Sequence, residues 1–151
     1  MRLELDPPRG VGDLRIGMAV DAAEQILERL PGFVPAPPGQ RRNKGFAHYG
    51  SELSISLDFD HGGAVRAVEL FRPAEETQVV FQGISVFDVP ADDIVTRLAG
   101  RYRLDIEDDG LDVTAPEVFI GFWRRTRPTG PNDEDGRYFE SVLIAAPGYG
   151  G

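Results

Sequence analysis

The chain contains no cysteine. That removes disulfides, thiol nucleophiles and cysteine-built metal sites from consideration. Lysine is nearly absent too: Lys44 stands alone beside fifteen arginines, a bias that, with abundant Gly, Pro, Ala and Asp, matches a GC-rich bacterial genome. Only two histidines occur, His48 and His61. A metal site or a histidine–carboxylate base would need them near a third ligand or a nucleophile. His61 falls in the turn Asp60-His61-Gly62-Gly63 and His48 on a short strand before Tyr49, so both read as structural. No apolar run approaches the roughly 20 residues of a membrane span. Met1–Pro8 lacks the apolar centre of a signal peptide, and the expected compartment is the cytoplasm. The sequence also lacks a zincin histidine pair, a Gly-x-Ser-x-Gly elbow and a phosphate-binding glycine loop. No catalytic residue, metal or cofactor is assigned.

What is present is enough for a core. In 151 residues, 41% are apolar, with nine Phe, four Tyr and one Trp. A chain of this size buries roughly 70% of its unfolded surface, and one domain is expected. The formal charge of −9 disfavours nucleic acid and anionic membrane, which repel an acidic protein, and speeds encounter with a basic partner.

The strongest pattern is an internal repeat. Ala23, Ile26, Leu27, Leu30 and Ala91, Ile94, Val95, Leu98 each place apolar residues at helical spacing, 68 positions apart. Asp21 and Glu24 have capping-box spacing, which predicts a helix over about 21–30 ended by Pro31-Gly32. The second helix starts near Pro90 and stops at Gly100. Leu53, Ile55, Leu57 and Phe59 alternate with polar residues, and Asp60–Gly63 turns the chain into Val65–Phe71, a hairpin. A short strand is also expected within 1–10, with Leu3 and Leu5 on one face and stopped by Pro7-Pro8, and further strands at 46–49, 102–106, 118–123 and 138–145. The predicted fold is α+β: one domain of two pseudo-repeats, about 11–72 and 79–146. Each is a helix followed by an antiparallel meander, with both helices on one face of the sheet.

Two clusters carry candidate chemistry. Asp105, Glu107, Asp109 and Gly110 resemble the start of a calcium loop. Position 12 of that loop is Pro116 and position 8 is Asp112, so the run reads as a solvated hairpin tip. Trp123-Arg124-Arg125-Thr126-Arg127 sets an indole beside three guanidiniums, residue types enriched in binding hot spots. Alternation places Trp123 with Phe119 on a strand whose two faces are both apolar. The expected contact surface is Tyr102, Phe119, Trp123, Arg125 and Tyr138. Arg41, Arg42 and Lys44 form a second basic island in a Pro-rich loop.

The entry Leu14-Arg15-Ile16-Gly17-Met18, followed by the first helix, resembles small helix–sheet repeat domains such as the outer-membrane assembly lipoproteins. In tandem these resemble the β-lactamase inhibitor proteins. The resemblance implies a sheet that serves as a protein-binding surface. The expectation is therefore a non-catalytic, acidic protein-binding module. An intracellular immunity or inhibitor protein facing a cognate toxin or enzyme fits that description, and a homodimer would cover an open apolar face. The alternatives are a small-molecule binder or enzyme with a pocket near His48 and Tyr49, and a structural domain without a ligand.

Overall fold

The structure, a computed structural model, describes residues 1–74 and 77–149. Three short strands, β1 (Arg2–Asp6), β2 (Gly10–Val11) and β3 (Leu14–Arg15), precede the helix α1 (Val20–Arg29). A meander follows: β4 (Phe33–Val34), β5 (Phe46–Tyr49), β6 (Ser54–Phe59) and β7 (Val65–Phe71). The chain continues through β8 (Gln78–Phe81), β9 (Ile84–Ser85) and α2 (Ala91–Ala99). It then forms a second meander, β10 (Asp105–Glu107), β11 (Asp112–Ala115), β12 (Ile120–Trp123) and β13 (Ser141–Ala145). The fold is α+β, with far more strand than helix.

The strands form two sheets. The larger has the order β10-β11-β12-β13-β7-β6-β5-β4 and joins the two meanders through their last strands, β7 and β13. The smaller has the order β3-β2-β1-β8-β9. Within it β1 and β8 pair in parallel, with Leu3 opposite Val79. The first strand is legible in the sequence but this second sheet is not, because pairing between strands so far apart along the chain leaves no local periodicity.

One contiguous core unites the buried residues of both helices and both sheets. On the larger sheet it contains the cross-strand row Val113–Phe122–Val142–Leu70–Ile55–Ala47 and the row Ala115–Ile120–Ile144–Val68–Leu57. The helix stripes enter it unevenly. Ala23 and Leu27 are buried in α1, and Ala91, Ile94 and Leu98 in α2, whereas Ile26, Leu30 and Val95 are only partly covered. Ala23 and Leu27 thus match Ile94 and Leu98, 71 positions on, and the caps Ala19 and Pro90 share that spacing. The 68-residue match slides the two stripes by about one turn. Apolar residues recur each turn, so sequence pattern cannot tell the two alignments apart.

The expected capping box is absent. The N-cap is Ala19, with no side-chain cap, which leaves Asp21 in the first turn facing the positive helix end. Glu24 turns outward instead, accepting from Arg42 Nη1 at 2.8 Å and from the Gly45 N–H at 3.3 Å. Arg42 also bonds Glu28 at 3.1 Å and lies over the Phe33 ring. It therefore straps the Pro-rich loop to α1 and is not part of an exposed basic island.

Candidate functional site

The face of the larger sheet opposite the core carries the side chains that alternation leaves over. One cross-strand row runs Glu107–Asp112–Trp123–Ser141–Phe71–Ser54–His48. The next runs Asp105–Thr114–Gly121–Leu143–Glu69–Ser56–Phe46. Near their middle is a cleft of about 430 Å³, lined by Trp123, Phe71, Leu143, Gly121, Thr114, Asp112 and Glu69 among others. A second cleft, about 300 Å³, adjoins it and is lined by Phe119, Pro116, Ala145 and Tyr149. Both share Thr114, Gly121 and Leu143, so they form one continuous groove across β11, β12 and β13.

Gly121 is the low point of that groove. A Cβ added there would meet only Thr114 Oγ1 at 3.7 Å and the Val113 carbonyl at 3.9 Å, ordinary van der Waals distances. The glycine is therefore not demanded by the fold; its missing side chain is what opens the surface. Trp123 is 38% exposed, one of the four large apolar side chains left exposed among the described residues. Phe119 sits in the β11–β12 turn with φ +58°, a left-handed conformation that costs an L-residue roughly 1–2 kcal/mol. Its carbonyl accepts from the Ala145 N–H at 3.1 Å, which helps hold the turn. Strain of this kind persists where surrounding structure over-determines it.

The electrostatics of the groove are one-sided. Asp112 has its carboxyl pushed above the usual range, first by burial, then by a hydrogen bond and repulsion from Asp108 and by the charge of Glu107. The Glu69 side chain makes no ion pair or hydrogen bond with any described residue. Elsewhere carboxylates find arginines: Asp6 with Arg9 and Arg15, Asp58 with Arg66, Glu134 with Arg137. Tyr149 covers the far end of the groove with Arg66 over its ring, and its phenol is pushed up by burial and by Asp58.

The residues expected to form a contact surface are partly brought together. Trp123 and Phe119 line adjoining parts of the one groove. Tyr138 stands outside it, half-buried beneath the Arg72 guanidinium, 4.5 Å from its ring centroid. Arg125 is exposed without a described ion-pair partner. Tyr102 belongs elsewhere: it follows α2, stacks on Phe81 with 6.4 Å between centroids, and takes a hydrogen bond from the Gln82 amide. The strand expected over 102–106 begins only at Asp105.

The three arginines do not form one basic surface. Arg124 is 2% exposed and turned inward, donating to the Gly110 and Gly136 carbonyls and to Asp92 Oδ1. Arg127 donates to the Asp109 carbonyl. Strand alternation puts residue 124 opposite Trp123, and the turns on either side offer it carbonyls. The acidic run forms a hairpin closed by Glu107 and Asp112 around Asp108–Gly110. Among the described residues no three His, Asp or Glu side chains are arranged to hold a metal.

His48 and Tyr49, the residues of the alternative pocket, lie on opposite faces of β5. His48 is exposed and shares a 2.8 Å hydrogen bond with Ser54 Oγ, not with a carboxylate. Tyr49 faces the other side, buried, with its hydroxyl donating to the Leu27 carbonyl at 2.7 Å. Adjacent strand positions point to opposite faces, so these two side chains cannot share a site. A depression of about 480 Å³ elsewhere is lined by Met1, Pro73, Thr77 and Asp88 among others.

Phe71, Leu143, Glu69 and Gly121 are not singled out by the sequence, and Asp112 only as a member of the acidic run. Their only signal is strand parity, and which residues become neighbours depends on the β7–β13 register. Comparison with known proteins supplies no further guide: no protein-family model, curated protein or solved structure matches the chain. No described helix is long and apolar enough to cross a membrane.

Proposed function

We propose that this chain is a non-catalytic protein-binding module that works through the groove on its larger sheet. The observation that carries the reading is the continuous groove from Phe71 and Trp123 past Gly121 to Phe119 and Tyr149. Exposed aromatic residues beside a cleft are the usual anchors of an interface. Among the described residues, the one hydroxyl beside an imidazole is Ser54 Oγ at 2.8 Å from His48 Nδ1, on the exposed sheet face, and no carboxylate is hydrogen-bonded to that ring. An intracellular immunity or inhibitor protein, acting in the cytoplasm on a toxin or enzyme, is the form of this function that fits an acidic chain best.

The architecture we infer is a pair of helix-and-meander repeats with both helices on one face of the larger sheet. Its support is the mirror-like strand order, in which each meander ends at the central β7–β13 pair, together with the equal spacing of helix caps and buried positions. A sheet covered on one side only presents the other to a partner, as the resemblance to tandem inhibitor domains implies.

The test is a display screen for protein partners with the native chain as bait and Gly121→Leu as its matched control. A partner bound by the native chain and lost with Gly121→Leu, at unchanged circular dichroism, supports the reading. Partners that bind both proteins alike refute it. A small-ligand reading has one observation in its favour, since about 430 Å³ lies within the range of small-molecule sites. That site would be the Trp123 cleft and not His48 and Tyr49.

A further inference from the structure

The chemistry of the groove specifies more than an apolar occupant. At the Trp123 end, the exposed indole and the Phe71 ring share a cleft with two carboxylates, Asp112 and Glu69. None of the chain's arginines neutralises either one. Near Trp123 in sequence, Arg124 turns inward to Gly110, Gly136 and Asp92, Arg127 donates to the Asp109 carbonyl, and the exposed Arg125 does not line the cleft. Arg72 lies over Tyr138 and Arg66 is paired with Asp58. In a chain with fifteen arginines, this leaves an aromatic, acidic cleft empty of cations. Asp112 is further pressed by Asp108 and Glu107, so an incoming positive charge would relieve repulsion already present.

We propose that this cleft receives an arginine or lysine side chain from a partner protein, with a neighbouring apolar residue of the same segment filling the Phe119 cleft. A guanidinium or ammonium meets there the two requirements for strong recognition: a ring face for cation–π contact and a carboxylate for charge-assisted hydrogen bonds. The adjoining cleft lined by Phe119, Leu143, Ala145 and Tyr149 is mostly apolar and begins at Gly121, so a basic and an apolar residue on one segment can engage together. Net charge agrees, because a chain of −9 steers basic partners toward it. A second copy of the chain is a poor occupant. Two-fold self-docking would set Asp112 and Glu69 against their own counterparts. This inference rests on the protein-binding reading and specifies its partner.

The sole tryptophan of the chain is the cleft's own Trp123, so its fluorescence reports occupancy directly. The probes are capped hexapeptides with one arginine two residues from a leucine, the same peptides with citrulline or glutamate in its place, and N-acetylarginine methylamide. The arginine peptides are expected to bind about tenfold tighter than the citrulline ones. The double variant Asp112→Asn, Glu69→Gln should bring that ratio to about one without lowering the thermal midpoint. Equal binding of arginine and citrulline peptides, lost with Gly121→Leu, overturns the cation while leaving the protein-binding groove intact. Capped arginine binding as tightly as the peptides overturns a protein segment as occupant. No response of Trp123 to any peptide, with partners in the screen binding the native chain and Gly121→Leu alike, defeats both readings together.

Discussion

Removing the Arg124 side chain is expected to be among the most costly single changes outside the aliphatic core. Arg124 is 2% exposed, and its three bonds tie together parts of the chain that share no strand pairing. Nε donates to the Gly110 carbonyl at 3.2 Å in the β10–β11 turn. Nη1 donates to the Gly136 carbonyl at 3.1 Å at the end of the long loop before β13, and Nη2 to Asp92 Oδ1 at 2.9 Å on α2. Gly136 must itself be glycine: at φ +75°, a Cβ would sit 2.0 Å from the Thr126 carbonyl. A hydrogen bond to a charged group contributes about 1.5–3 kcal/mol. Asp92 is 64% exposed, and a carboxylate in water adds only about 0–1 kcal/mol. Two carbonyl bonds plus the guanidinium's packing over Phe139 give Arg124→Ala a cost of about 3–5 kcal/mol, the range for losing one partner of a buried charged contact. Asp92→Ala should cost under about 1 kcal/mol. Urea denaturation followed by the fluorescence of the adjacent Trp123 measures both. Equal losses for the two variants, or an Arg124→Ala cost below about 1 kcal/mol, would refute the claim that the backbone carbonyls hold this arginine.

Other outcomes follow from the same geometry. Gly121→Leu should leave the circular dichroism spectrum and unfolding midpoint nearly unchanged, because a Cβ fits there, while filling the groove; unfolding of this variant would show that the glycine is structural. Asp112→Asn should raise the unfolding midpoint at pH 7. The folded carboxyl lies above its unfolded value, so the native protein loses stability as pH rises through the folded pKa and recovers it as pH falls, and the advantage of the variant should shrink toward pH 4; a constant difference across pH would contradict this. Asp60 behaves oppositely: the Ala64 N–H, with the Gly62 N–H, holds its carboxyl below the usual range. Its contribution is present above about pH 4 and lost as pH falls through the folded value, so Asp60→Ala should flatten the acid limb of a midpoint-against-pH plot. Leu27→Ala and Leu98→Ala should each cost about 2–5 kcal/mol and Ile26→Ala distinctly less, since the first two are fully buried and Ile26 is not; chemical denaturation that ranks Ile26 with Leu27 would restore the 68-residue alignment.

Much of the secondary structure was legible because it is local. The alternation of Leu53 through Phe59 and the Asp60–Gly63 turn specify a hairpin without outside help, and the observed β6 and β7 match it closely. The helices were legible to within a residue or two, as stripe and breakers lie within ten residues. Their caps were not. Asp21 and Glu24 satisfy a capping motif on paper, yet Glu24 is taken by Arg42, whose position is set by a loop the helix cannot specify. Phe119 likewise continues the strand alternation but falls in a turn.

The candidate site divides along the same line. Sequence by itself determined that Trp123 and Gly121 share a face, since side chains alternate along a strand, and that cysteine chemistry is excluded. It could not show that Arg124, one residue on, is buried while Arg125 is exposed; that depends on which carbonyls the neighbouring turns present. Nor could it separate Tyr102 from the other aromatic candidates, because the end of α2 lies against Phe81 of the smaller sheet. Only the pairing of β7 with β13 decided that Phe71, Glu69 and Leu143 meet Trp123 and Asp112 across the sheet. Register between distant strands is a collective choice of the core, and no single segment of the chain encodes it.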